Sequence, residues 1–173
     1  MSSACRFTVS VAAVLLFTGC SSDLTLPNEG TSTPTTLLPE SLSPNRNLEI
    51  ILRPVAGGGG FGLVKFRQPK DDAAIVDLDT WVRDLSPNTS YRLQRATDMT
   101  VDDVCTGTNW LTLGQGSVPR SILTDDQGTG REALFRNLSA VPLGSVFDIH
   151  FRVIDPEGVV VLQSDCYQFV VAL

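Results

Sequence analysis

Histidine is nearly missing from this chain: His150 is the single one in 173 residues. Metal centres built from several imidazoles are therefore excluded by count. Positive charge is also short. Thirteen Lys and Arg stand against nineteen Asp and Glu, a formal net charge of −6, so the chain is not built to grip a phosphate backbone and no nucleic-acid partner is expected. No basic patch for anionic lipid headgroups is present either. No apolar run approaches the ~20 residues that a membrane-spanning helix needs. There is no G-x-S-x-G, and the glycine run at 57–62 (GGGGFG) lacks the Lys-Ser/Thr pair and the following helix of a phosphate loop. What remains is an acidic chain with enough apolar content for one core of ordinary size.

The first twenty residues carry the most information. Arg6 supplies a positive start, residues 7–17 are mostly apolar, and Thr18-Gly19 lead into Cys20. An apolar core of this length marks a secretory signal rather than a span. Phe17-Thr18-Gly19-Cys20 resembles the lipobox of bacterial lipoproteins. The resemblance implies cleavage before Cys20, lipidation of that cysteine and a place in the bacterial cell envelope. Ser21 behind the cysteine implies outer-membrane delivery where the host has two membranes. Several acyl chains on one cysteine anchor stably, at about 0.8 kcal/mol per buried CH₂. The membrane is thus an expected partner, touched through the lipid. An ordinary secretory signal cut nearby is the alternative.

The expected organisation is a signal peptide over 1–19, a lipidated N-terminus and disordered Ser/Thr/Pro-rich tether over 20–46, and a β-domain over 47–173. At ~3.1 Å per residue the tether reaches about 80 Å when extended. Without the signal the balance is 12 basic to 19 acidic residues, or −7. Cys5 leaves with the signal and Cys20 takes the lipid, so the domain keeps Cys105 and Cys166. In an exported domain two cysteines most simply form a disulfide, with two buried thiols as the alternative.

From Asn47 onward, short apolar–polar alternations are separated by turn residues. Leu48, Ile50 and Leu52 alternate with polar neighbours, and segments 61–67, 75–82, 91–95, 110–113, 121–124, 131–138, 147–153, 159–163 and 167–171 follow. Turns are expected at Gly57 to Gly60, Pro69 to Asp72, Asp125 to Gly128 and Asp155 to Gly158. About nine short strands without a convincing helix predict an all-β domain, an antiparallel β-sandwich. Within it, Leu85-Ser86-Pro87-Asn88-Thr89-Ser90-Tyr91-Arg92-Leu93 resembles the L-x-P-x-T-x-Y segment of fibronectin type III domains. That resemblance implies an immunoglobulin-like sandwich in which Leu85 caps the core, Pro87 fixes the turn and the Tyr91 hydroxyl bonds to nearby backbone. It implies no activity.

Candidate sites are few. Trp81 shares a strand phase with Asp77 and Asp79, opposite Val76, Leu78 and Val82, so these three form a possible binding face to which Trp110 could add; a covering layer, or a one-residue slip in register, would remove it. Asp98, Asp102 and Asp103 before Cys105, and Asp125 with Asp126 in a turn, are oxygen donors of the kind calcium prefers. Neither segment has calcium-loop spacing, and Asp-rich turns have conformational causes of their own; no cofactor or metal is expected. His150 falls on the polar phase of its strand with Asp148 and Arg152 and reads as a solvated or salt-bridged surface residue. A Ser–His–Asp set would need a serine that nothing nominates. The expected function is a non-catalytic, lipid-anchored binding or assembly module engaging an envelope protein or a glycan. A structural accessory subunit of an envelope complex is the alternative, and a metal-dependent or hydrolytic enzyme a third.

Overall fold

The computed structural model describes residues 47–55, 57–69 and 73–172. The signal segment, Cys5, Cys20 and the tether lie outside the described residues, as do Lys70, Asp71 and Asp72 of the turn expected after Pro69. No helix occurs among the described residues, and none of them forms a helix long and apolar enough to cross a membrane.

Among the described residues twelve strands form, not about nine. The long ones follow the alternating segments: β1 (Asn47–Pro54), β2 (Phe61–Arg67), β3 (Ile75–Arg83), β4 (Ser90–Asp98), β9 (Gly130–Asn137), β10 (Val146–Ile154), β11 (Val160–Ser164) and β12 (Tyr167–Val170). The additional ones are two-residue pieces, β5 (Leu111–Thr112), β6 (Gly114–Gln115), β7 (Val118–Pro119) and β8 (Ile122–Leu123). Two residues cannot display a period of two, so these strands left no pattern to read.

Hydrogen bonding runs along one continuous path, β5-β4-β10-β11-β1-β2-β3-β9-β6-β7, with β12 paired to β10 and β8 to β4. The register sets the faces. Ile50 lies opposite Val64, Leu78 opposite Leu134 and Val153 opposite Leu93, all of them buried. Directly opposed residues in an antiparallel pair point to the same side, so these contacts define one inner surface. Among the described residues all strand pairings are antiparallel except the parallel contact of β6 with β9, Gln115 opposite Phe135.

That exception explains how the sheet closes. Only Leu113 separates β5 from β6, so the stretch 111–115 pairs first with β4 and then with β9, at opposite ends of the path. Leu113 is buried and its N–H donates to the Leu93 carbonyl at 2.8 Å. One short stretch thus joins the two ends and leaves the inner surface enclosed. Rings from β2, β10 and β12 meet there: Phe66 stands 4.6 Å from Phe169 and 6.3 Å from Phe151, edge to face, and Phe147 lies 5.5 Å from Phe169. Fully burying such a side chain contributes about 1.5–3 kcal/mol.

At the turn before β4 the Tyr91 hydroxyl accepts a hydrogen bond from the Ser86 N–H at 3.1 Å. Tyr91 is buried, and Leu85 packs on the core from the same corner. Thr124 fastens it from the other side: its buried hydroxyl donates to Ser86 O at 2.7 Å and accepts from Thr89 N at 2.9 Å.

Candidate functional site

A disulfide joins Cys105 to Cys166, with Cα atoms 5.4 Å apart. It ties the loop 99–110 to the short connection between β11 and β12, so that loop runs across the outer face of β10. Asp148, fully buried, accepts through Oδ2 from the N–H groups of Asp102 and Asp103 at 3.0 and 2.9 Å. Its other oxygen, Oδ1, is buried without a hydrogen-bond partner among the described residues. Asp98, opposite Asp148 in the register, accepts from Thr106 and Gly107 at 2.6 and 2.8 Å. Two strand carboxylates therefore hold one crossing loop.

This loop corrects the reading of His150. The imidazole is 5 % exposed, not solvated. Its Nε2 lies 3.1 Å from the Gly107 carbonyl, which can only accept, so the ring donates there. Trp110 covers it at 4.6 Å between ring centroids, and the Arg152 guanidinium sits 4.0 Å from the indole. Period-two alternation placed His150 on the outer face correctly, but gave no sign that a loop covers that face.

Trp110 is thus half-buried over β10, whereas Trp81 lies on the outer face of β3. Three strands (β11, β1 and β2) separate them along the path, and the structure does not bring them together. Trp81 is half-buried too, with Phe61 edge-on at 6.3 Å and the Arg83 guanidinium 5.6 Å from its ring. Asp79 on the same face receives two hydrogen bonds from Arg131, at 2.9 and 2.5 Å. The Arg131 hydrogen bond, more than its charge, holds the Asp79 carboxyl below the usual aspartate range. Asp77 is half-buried beside them. The face is a shallow surface of stacked and paired side chains.

Two of the acidic candidates, Asp102 and Asp125, are occupied with backbone. Asp102 Oδ1 accepts from Val104 N at 3.0 Å, and Asp125 Oδ1 from Gln127 and Thr129, both at 2.9 Å. Asp103 and Asp126 are exposed. Among the described residues no three His, Cys, Asp or Glu side chains are grouped to hold a metal ion.

An open depression lies over Asp77, Asp79 and Arg131, but a more enclosed and more apolar one is elsewhere. A cavity of about 260 Å³ opens at the end of the sheet where β4 and β9 finish and β10 begins. Its floor is the Phe66, Phe147, Phe151 and Phe169 cluster, and Val76 and Leu78 form one wall. The loop 138–145 makes the rim with Met99, which is 77 % exposed. Two arginines enter this apolar setting. Arg95 lies opposite Phe151, and Arg136 opposite Val76. Both partners are buried in the core, so both arginines face inward. Arg95 Nη1 donates to Thr97 Oγ1 at 3.2 Å, and Arg136 Nη1 to the Gly116 carbonyl at 3.1 Å. Neither pairs with a carboxylate among the described residues. Burial, and secondarily the charge of Arg136, lower the affinity of the Arg95 guanidinium for its proton, yet an arginine stays charged at neutral pH.

Sequence reasoning missed these two residues. The signal was present in strand phase. Tyr91, Leu93 and Arg95 alternate on one side of β4, so Arg95 stands where the pattern asks for an apolar residue; on β9 the signal is weaker, because Glu132 shares the side of Leu134 and Arg136.

No family model, curated protein or solved structure matches the chain.

Proposed function

We propose that this chain is an exported, non-catalytic binding module, held at the bacterial envelope by lipid on Cys20, and that the end cavity is where it binds. The observation that carries the reading is the cavity itself: concave, floored by four aromatic rings and furnished with two convergent polar groups, the ordinary composition of a small-molecule site. Its two titratable residues are arginines, which suit binding and positioning better than proton transfer, because they do not exchange protons near neutral pH. The lipobox-like run before Cys20 supports the anchor. The domain is taken as immunoglobulin-like, and the Tyr91 hydroxyl on the Ser86 amide supports that assignment.

A small neutral environment-sensitive dye of ten carbons, 1-aminonaphthalene, titrated into the purified protein, tests the binding reading. One saturable site is expected, lost on Thr97→Trp, which sets an indole on the inner phase at the cavity mouth while circular dichroism stays unchanged. Dye uptake that does not saturate, or that survives Thr97→Trp, refutes the cavity as the binding site.

A further inference from the structure

We propose that the occupant of this cavity is a single-chain anionic amphiphile, its oxyanion headgroup held by Arg95 and Arg136 and its alkyl tail lying on the phenylalanine floor. The inference rests on the binding reading and names the ligand class for the same site.

Charge placement is the first argument. The chain is acidic, with nineteen carboxylates to thirteen cations, and its outer surface pairs them freely: Arg53 with Asp165, Arg83 with Asp84, Arg131 with Asp79. The two inward arginines have no such partner among the described residues. Each guanidinium presents five donors, and among the described residues each makes a single side-chain hydrogen bond, Arg95 to Thr97 and Arg136 to Gly116. Two adjacent cations in a partly desolvated setting are matched by an anion with at least two oxygens, which guanidinium forks bind in pairs.

The shape of the cavity supplies the second argument. A cavity of ~150 Å³ accommodates benzene, so about 260 Å³ holds roughly ten carbons on the same scale. That is one medium-length chain and too little for the two tails of a phospholipid. The floor offers only rings and aliphatic groups, so the tail must be apolar. A headgroup at the arginines and a tail among the rings satisfy both halves of the site at once.

The test is calorimetric titration of the full chain carrying Cys20→Ala, so that no detergent competes, with decanoate, decyl phosphate and decanol. Both anions are expected to bind at one site at least tenfold more tightly than decanol, since a charge-assisted hydrogen bond contributes about ten- to a hundredfold. From hexanoate to decanoate, affinity should rise about fourfold per methylene. Arg95→Gln should bring decanoate down to the affinity of decanol and leave decanol unchanged; Arg136→Gln serves as the second variant. Decanoate and decanol binding alike would overturn the headgroup assignment and leave the cavity reading standing. Binding of none of the three would sink both. Binding to vesicles of anionic phospholipid, without binding of monomeric decanoate or decyl phosphate, would overturn the single-chain occupant and assign the arginines to a membrane surface.

Discussion

Replacing Cys105 and Cys166 together by alanine separates two ways in which the loop over β10 can be held. The bridge spans 61 positions, and loop-closure entropy for that length contributes about 4 kcal/mol, by restricting the unfolded chain. The loop has other attachments. Asp148 takes the amides of Asp102 and Asp103, and Asp98 those of Thr106 and Gly107; hydrogen bonds to a charged group contribute about 1.5–3 kcal/mol each. Trp110 adds its stack on His150 and Arg152. The loop should therefore stay in place without the disulfide, and the loss should fall on global stability. Urea unfolding should show a midpoint lowered by about 4 kcal/mol of stability and a steeper m-value, because the unfolded state expands. The Tm should fall by roughly 12–20 °C for a domain of this size. Hydrogen exchange gives the decisive reading. The amides of residues 102, 103, 106 and 107 should remain protected up to the new global limit. Loss of protection at those amides with global stability within about 1 kcal/mol of the wild type would refute the reasoning, by showing that the bridge acts on the native loop.

Gly128 has φ +75° and an added Cβ would fall 2.1 Å from the Leu85 carbonyl oxygen, so Gly128→Ala should cost about 2 kcal/mol or more in chemical denaturation; a neutral result would mean the turn relaxes freely. Arg131→Gln should raise the NMR titration midpoint of Asp79, since the Arg131 hydrogen bond is the main cause of its lowered value. A depressed carboxylate contributes stability above its unfolded pKa and loses it as pH falls through the folded one, so wild type and variant should differ at neutral pH and converge in acid. A midpoint that stays or falls contradicts this. Cys20→Ala should move the protein from the detergent phase to the aqueous phase in detergent partitioning of cell extracts; continued partitioning with detergent would end the lipid-anchor reading.

What the sequence discloses here is local. The long strands were legible because each carries its own alternation, β3 most clearly, with Val76, Leu78 and Val82 buried and Asp77, Asp79 and Trp81 half-buried. The cysteine pair was legible by count. Closure of the sheet was not, because it depends on Leu111 to Gln115 changing partners at Leu113, and two-residue strands leave no period. The covering of β10 was hidden for a related reason. Asp148 and His150 are polar and obey the outward phase, yet both are buried, because an irregular loop packs on them. A loop without periodicity announces neither its path nor what it covers. The site required the most distant information of all: Arg95 and Arg136 come from different strands, and the rings between them from three more.

The two arginines carry a consequence for stability as well as for binding. A partly buried cation without a counter-charge costs free energy, and this chain has enough carboxylates to have supplied one. Its ion pairs lie on the outside instead, where Arg53 with Asp165 is exposed and contributes little; Asp148 holds loop amides, and Glu132, half-buried on the inner phase opposite Thr80, pairs with no arginine among the described residues. The inner surface is mostly Leu, Val, Ile and Phe, so an apolar side chain at either position would extend that surface. Two positions that forgo that packing, on separate strands and facing the same cavity, are hard to explain by folding alone. Binding sites are where such costs persist, since a charge optimised for the folded chain would already be neutralised and have nothing left to offer a ligand.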